Sequence, residues 1–189
     1  LPLALEAIRQ GYEVHIATSL TDKLVLLESH GLEVHPLSLH RNSAGFWSTG
    51  KTLWQIFRVY NRVNPDVVHL VTIKPVLLGG LVARLSRVPA VVTAVSGLGF
   101  VFVAKGIKAT VRRRLVSLLY GLAMRHHNQR VIFQNPDDLT CLEKLAHLPD
   151  QKVTIIRGSG VDLSQYIALP LPTSVPVVLL AARLLVDKG

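Results

Sequence analysis

Short apolar runs alternate with segments of helical length along most of the chain, and this alternation limits the available folds more than any other feature. Strands are predicted at residues 13–17, 33–37, 66–71, 90–94, 130–133 and 152–156, and helices at residues 3–9, 20–30, 50–63, 75–87, 107–125 and 136–147. Repeated strand–helix units of this length are typical of a parallel sheet covered by helices. The sequence therefore predicts an α/β protein with a doubly wound, Rossmann-like parallel sheet.

The composition agrees with a sheet that is buried on both faces. Hydrophobic residues make up 49% of the chain and charged residues 17%, and buried parallel strands contribute continuous apolar runs. No apolar run reaches the roughly 18 residues that a membrane-spanning helix needs. The single cysteine, Cys141, excludes an internal disulfide framework and is typical of a reducing compartment.

The two ends of the sequence predict a fold that is truncated on both sides. Residues 3–9 resemble the helix after a first strand, but no strand precedes them. Residues 167–176 are rich in proline, and residues 177–182 have the composition of a new buried strand. We expect a Rossmann-like domain over residues 1–163 without its first strand, a linker over 164–175, and the start of a second domain over 176–189.

The net charge of +9 predicts an anionic partner. Basic residues concentrate in one predicted helix and just before it, at Lys105, Lys108, Arg112, Arg113 and Arg114. Apolar residues at helical spacing accompany them, so this segment is either a basic amphipathic helix that faces an anionic membrane or a core-packing helix with a solvated basic face. Nucleic-acid binding is disfavoured because aromatic residues make up only 6% of the chain and none interleaves with the arginine cluster.

The sequence lacks the motifs of several common binding and catalytic sites. No G-x-G-x-x-G follows a predicted strand, and no G-x-x-x-x-G-K-[ST] is present, which disfavours dinucleotide-dependent oxidoreductases and P-loop ATPases. The eight histidines form neither H-E-x-x-H nor a histidine–cysteine pattern with ligand spacing. No metal site is predicted.

Three segments at the ends of predicted strands are suited to phosphate or sugar. Glycine lets the backbone approach a ligand, and arginine and lysine pair with phosphates. Alone, the first segment is equally compatible with a plain turn and the second with a hinge, whereas an arginine–lysine pair such as the third is more often a solvated loop. The segments contain Ser96, Gly97, Leu98 and Gly99; Gly158, Ser159 and Gly160; and Arg183 and Lys188.

In their combined order, these segments resemble retaining glycosyltransferases of the GT-B fold, in the large family four group that includes enzymes of bacterial polysaccharide and lipid-linked glycan assembly. The matching stretches are residues 11–14, 65–72, 93–102, 131–137, 156–162 and 182–189. The resemblance is greatest to members with S-G-L-G-F in the first domain and G-S-G-V-D before the second. It implies that the chain is the acceptor-side half of a GT-B enzyme.

The resemblance also implies roles for the three segments. A nucleotide sugar, with UDP the commonest carrier among similar enzymes, would bind between two domains without a metal or other cofactor. Arg183 and Lys188 would contact the donor diphosphate. The glycine loop from Ser96 to Gly99 would line the cleft near the sugar, and residues 158–160 would lie at the interdomain edge.

The implied acceptor is a glycan or a polyprenyl-diphosphate-linked sugar in cell-surface polysaccharide synthesis. This implies a cytoplasmic protein, peripheral on the inner face of the cytoplasmic membrane.

Val95 and Ser96 stand where many relatives have a histidine, so no catalytic residue is assigned. The acidic E-x7-E region of the family is absent from this stretch, which alone is expected not to catalyse transfer. A non-catalytic α/β module that binds phosphorylated ligands remains the alternative.

Overall fold

The computed structural model contains two compact units, Leu1–Gly158 and Ser159–Gly189. It describes residues 1–19, 23–39, 45–97, 107–146, 148–158, 160–161, 163–164, 166–170, 175 and 177–179. Within these ranges, the side chains of residues 46, 107–109, 111–113 and 144–146 are not described.

The first unit alternates helices and strands as predicted. The helices are α1 (Pro2–Arg9), α2 (Leu24–Ser29), α3 (Phe46–Val63), α4 (Ile73–Leu85), α5 (Ile107–Ala123) and α6 (Pro136–Ala146). The strands are β1 (His15–Thr18), β2 (Glu33–Pro36), β3 (Val67–Val71), β4 (Ala90–Val95), β5 (Gln129–Phe133) and β6 (Val153–Ile155), with a short 3-10 helix at Asp150–Lys152. Every strand predicted in this unit is confirmed to within two residues at each end.

The strands form two parallel sheets. β1 pairs with β2, and a separate four-stranded sheet has the order β3-β4-β5-β6. Each pair in the larger sheet is parallel, so each connection must cross over through a helix. The α/β class and the parallel arrangement are therefore confirmed.

Helix ends follow their local sequence signals. Asn64 ends α3 in the left-handed conformation, with φ 47° and ψ 57°, and Pro65 follows it, as the predicted stop signal requires. At its other end, α3 begins four residues before the predicted start because Gly45 adopts an extended conformation and Phe46 begins the helix.

The core lies between the larger sheet and the helices that pack side by side from α3 to α6. Its most buried side chains come from the strands and from the inner faces of α4, α5 and α6: Val76, Val91, Val131, Phe133, Tyr120 and Leu142. Between β4 and β5, the buried Gln129 donates from Nε2 to Thr93 Oγ1 at 2.9 Å. His126 is a structural residue, with Nε2 2.9 Å from the carbonyl oxygen of Val88.

α4 and α5 approach each other closely at Gly80. A Cβ added to Gly80 would lie 3.0 Å from both the Cβ and the carbonyl oxygen of Ala123. Arg84 strengthens this contact, since its guanidinium donates to the carbonyl oxygen of Leu122 at 2.9 Å. The backbone of α5 cannot rotate away as a side chain can, so only glycine fits here without separating the helices.

The described part of the second unit has no regular secondary structure. Val177, Val178 and Leu179 are exposed, so the strand predicted from residue 177 is wrong for these three residues. A strand needs a neighbour to satisfy its backbone hydrogen bonds, and the described residues of this unit provide none. The predicted domain limits at residues 163 and 175 remain predictions.

The Gly80 contact gives a stability prediction. We expect Gly80→Val to lower the free energy of unfolding by about 1–3 kcal/mol, because overpacking forces α4 and α5 apart. The matched control is Gly50→Val in α3, where an added Cβ meets nothing within 4 Å and the change should stay within about 0.5 kcal/mol. Urea unfolding followed by circular dichroism measures both, and equal stability of the two variants would contradict the packing argument.

Candidate glycosyltransferase site

The carboxyl ends of β3 to β6 lie along one edge of the larger sheet, because the four strands are parallel and adjacent. Thr72 follows β3, Ser96 and Gly97 follow β4, Asn135 lies just after β5, and Gly158 lies just after β6. Ligands in open α/β sheets bind at this edge. Ser96 and Gly97 of the first predicted segment and Gly158 of the second thus lie at the same edge of the sheet, two strands apart.

Gly97 and Gly158 have backbones suited to close approach by a ligand. Their φ angles are +121° and +72°, in the region that side chains disfavour. A Cβ added to either residue would meet nothing within 4 Å. Among the described residues nothing crowds these two positions, so the backbone conformation is what requires glycine here.

Asn135 organises the start of α6 at this edge. Its side chain accepts a hydrogen bond from the Asp138 backbone N–H at 2.7 Å and donates one to the Asp138 carboxylate at 2.7 Å. This reciprocal pair caps the helix. Asn135 had no predicted role, although an asparagine directly before a helix that begins with proline is a recognisable capping signal.

Thr72 shows backbone strain beside the glycine loop. Its φ of 72° and ψ of 164° fall in a region that is essentially restricted to glycine. Residues held in such conformations cluster at functional sites. This strain indicates that the junction of β3 and α4 belongs to the candidate site at the same edge of the sheet.

The buried tyrosines do not contribute acid–base groups to this edge. Burial raises the pKa of Tyr60 and of Tyr120 well above the usual range. Both phenols are therefore neutral core groups.

Several predicted site residues lie outside the described part of the chain. They are Leu98, Gly99, Lys105, Ser159, Arg183 and Lys188. Gly160 is described and has a φ of +68°. The grouping of all the predicted site residues into one donor site therefore remains a prediction.

The predicted membrane-facing residues lie mostly on α5. The helix includes Lys108, Arg112 and Arg113, whose side chains are not described, whereas Arg114 is exposed. The apolar side chains of Leu115 and Leu118 are 56% and 61% exposed. Arg114, Leu115 and Leu118 are thus one basic and two apolar exposed side chains on α5, and the membrane-facing role of this helix remains a prediction.

A second basic and apolar surface, on α3, was missed by the sequence analysis. Both tryptophans of the chain lie on this helix, and Trp47 and Trp54 are 94% and 57% exposed. The guanidinium carbon of Arg58 lies 4.8 Å from the centre of the Trp54 ring, a cation–π contact. Lys51 is also exposed. Tryptophan and cations combined on one helix are the signal that would have identified this surface.

A cavity of about 300 Å³ opens beside this surface. Its lining residues are His35, Pro36, Trp54, Gln55, Arg58, Val59 and Arg62. Two guanidinium groups next to an indole suit a ligand that is both anionic and partly apolar, because arginine pairs with phosphate through two parallel hydrogen bonds.

Comparison with known proteins identifies the family. The sequence model described as glycosyl transferase 4-like matches residues 1–135. The chain belongs to this glycosyl transferase 4-like family. The match includes the strained Thr72 junction, the positive-φ Gly97 and the Asn135 cap, so most of the edge described above lies inside the family domain.

Two curated relatives are similar to the chain over part of their length. One is the N,N'-diacetylbacillosaminyl-diphospho-undecaprenol alpha-1,3-N-acetylgalactosaminyltransferase of Campylobacter jejuni, 25% identical over 176 residues, which are 86% of this chain and 46% of the relative. The other is the UDP-Gal:alpha-D-GlcNAc-diphosphoundecaprenol alpha-1,3-galactosyltransferase of Escherichia coli, 28% identical over 120 residues, which are 61% of this chain and 28% of the relative. The glycosyl transferase 4-like chain thus spans less than half the length of either relative.

A solved structure supports the fold. MurG of Acinetobacter baumannii superimposes with a TM-score of 0.51 and 16% identity, over 87% of this chain and 42% of that one. The likeness shows the fold alone, which is the Rossmann-like half of the GT-B type. Among the described residues, no helix is both long and apolar enough to cross a membrane.

The backbone of the glycine loop gives a second stability prediction. We expect Gly97→Ala to lower the free energy of unfolding by about 1–3 kcal/mol, the cost of placing a side chain at this φ. Gly50→Ala is the control, since alanine in a helix interior should stabilise by about 0.5–1 kcal/mol. Chemical denaturation of both variants measures the difference, and a neutral effect at Gly97 would show that the loop relaxes to another conformation.

Proposed function

We propose that the protein is a retaining glycosyltransferase that moves a sugar from a nucleotide-sugar donor, in the first instance a UDP-sugar, to a polyprenyl-diphosphate-linked or glycan acceptor in cell-surface polysaccharide synthesis. The family match over residues 1–135 carries this proposal. The names of both relatives, which include sugars on diphospho-undecaprenol, support the acceptor class.

In the proposed mechanism, this chain provides the acceptor side of the cleft and the first donor contacts. We propose that the transferred sugar approaches the backbone at Ser96 and Gly97. Arg183 and Lys188 neutralise the donor diphosphate, so that departure of the nucleotide needs no metal or other cofactor at the donor site. The acceptor attacks from the face that the nucleotide leaves, which retains the anomeric configuration, and the leaving phosphate assists its deprotonation. Residues 1–189 alone are proposed to be inactive.

The α3 and α5 surfaces supply the proposed contact with the membrane. Arg114 on α5 and Arg58 on α3 pair with anionic headgroups, while the exposed apolar side chains beside them enter the interface. We propose that this contact holds the protein at the inner face of the cytoplasmic membrane, where a lipid-linked acceptor would be within reach.

A transfer assay tests the function. The full-length protein is incubated with radiolabelled UDP-sugars and a short polyprenyl-diphosphate-linked sugar, and the label extracted with the lipid is measured. We expect transfer with retained configuration, resolved by NMR of the product. Arg183→Ala and Lys188→Ala should each lower kcat by roughly 10²-fold or more, the scale of removing one group that stabilises developing charge.

The matched control for this assay is Arg9→Ala, which removes an exposed arginine that pairs with Glu6 on the same helix, α1, and should leave the rate unchanged. Inversion at the anomeric carbon would overturn the retaining mechanism. Absence of transfer from any nucleotide sugar, together with binding of phosphorylated ligands, would favour the binding module instead.

Vesicle binding tests the membrane surface separately. Replacing both Trp47 and Trp54 by alanine should weaken binding to anionic vesicles at least tenfold, because burying one large apolar side chain contributes about 1.5–3 kcal/mol. Tyr12→Ala is the control, since Tyr12 is an exposed aromatic residue outside α3. Co-sedimentation with vesicles measures both variants, and equal binding would remove α3 from the membrane contact.

A further inference from the structure

Two histidines and two glutamates meet where β1 and β2 begin. His15 and Glu33 are paired in the parallel register of the two strands, and His35 lies two residues beyond Glu33 on the same face of β2. Glu13 lies two residues before His15. We call Glu13, His15, Glu33 and His35 the histidine–glutamate cluster.

Three potential metal-binding groups of the cluster, on His15, Glu33 and His35, lie close to one another. His15 Nδ1 lies 3.0 Å from His35 Nε2. The Glu33 carboxylate oxygens lie 3.6 Å from His15 Nδ1 and 3.7 Å from His35 Nε2. Three ligand atoms around a tetrahedral zinc ion, each at about 2.0–2.2 Å from the metal, are roughly 3.3–3.5 Å apart. The observed separations differ from that spacing by only a few tenths of an ångström.

Glu13 fixes the orientation of His15. Its carboxylate Oε1 lies 2.9 Å from His15 Nε2, and a carboxylate can only accept, so Nε2 carries the hydrogen in the neutral ring. The lone pair of Nδ1 then faces Glu33 and His35. A carboxylate on the outer nitrogen of a ligating histidine is the usual second layer of a zinc site.

The surroundings suit a partly buried site whose fourth coordination position faces solvent. The side chains of His15 and His35 are 17% and 8% exposed, whereas that of Glu33 is 53% exposed. The nearest cation to the cluster among the described ion pairs is Arg62, whose guanidinium lies 3.8 Å from Glu33 and is itself largely exposed. An ion can therefore enter past Glu33, and a water molecule can complete its coordination.

We propose that His15 Nδ1, His35 Nε2 and the Glu33 carboxylate bind a zinc ion, with Glu13 as the second-layer partner of His15. Zinc takes the place of the hydrogen shared between the two rings, and that hydrogen moves to Nδ1 of His35. Two imidazoles and a carboxylate are ligands that zinc favours. The site lies at the beginning of β1 and β2, and it does not depend on the transferase proposal.

The proposed role of the ion is to stabilise the small sheet. A two-stranded sheet is marginal without further support, and the cluster joins the beginning of β1 to β2 through side chains of both strands. An ion that binds only the folded state raises the free energy of unfolding by an amount that grows with the logarithm of its free concentration above Kd.

The test uses the full-length protein without a histidine tag. After chelation and dialysis, zinc affinity and stoichiometry are measured by competition with a chromophoric chelator, and Tm is measured over increasing zinc concentration. We expect one zinc per chain and a Tm that rises with zinc. Glu33→Gln and His35→Gln should lose both effects, and Glu13→Ala should weaken affinity about 10–100-fold.

Controls separate binding from folding. His30→Gln removes an exposed histidine outside the cluster and should keep the zinc affinity of the parent. Because His35 is buried and its variant could unfold, circular dichroism checks each protein, and Glu33→Gln tests the site at an exposed position. Wild-type protein without stoichiometric zinc, or undiminished affinity in a folded Glu33→Gln variant, would overturn the proposal.

Discussion

The parallel pairing of four neighbouring strands is the constraint on which the rest of the first unit depends. Parallel neighbours cannot be joined by tight turns, so helices must cross over and pack against one another. Gly80 permits that packing because α5 brings the backbone of Ala123 to within contact distance. The same pairing brings the carboxyl ends of these four strands to one edge of the larger sheet. Core stability and the position of the candidate site therefore have a common origin.

Much of this fold was predictable because its signals are local. Apolar runs, the Asn64–Pro65 stop and the placement of glycines after strands are each contained in a few residues, and each was confirmed or located as expected. The division of the strands into two sheets was not predictable, because it depends on which strands pair across the chain. The strand predicted from residue 177 is absent at residues 177–179 for the related reason that composition cannot supply a pairing partner.

The candidate sites differ in the same way: some residues follow from short sequence patterns, and others are brought together only by strand pairing. Ser96, Gly97 and Gly158 were named from sequence because glycine after a strand is a short pattern, and the structure brings them to one edge. The histidine–glutamate cluster escaped notice because its members come from two strands separated by a helix, and only the register of β1 against β2 makes them neighbours. The α3 surface was missed for a simpler reason. Its signal is the combination of tryptophan and basic residues on one helical face, and neither charge nor aromatic content alone indicates it.

The location of both tryptophans on α3 has a consequence for spectroscopy. All indole emission from residues 1–189 arises from one face of one helix, so this fluorescence is a local signal without any engineered label. Trp47 is already almost fully exposed, and unfolding therefore changes its surroundings little. The Trp54 ring faces the Arg58 guanidinium, and an anion that draws this group away alters the field at the ring. Emission from α3 thus reports what approaches the helix more directly than it reports whether the chain is folded.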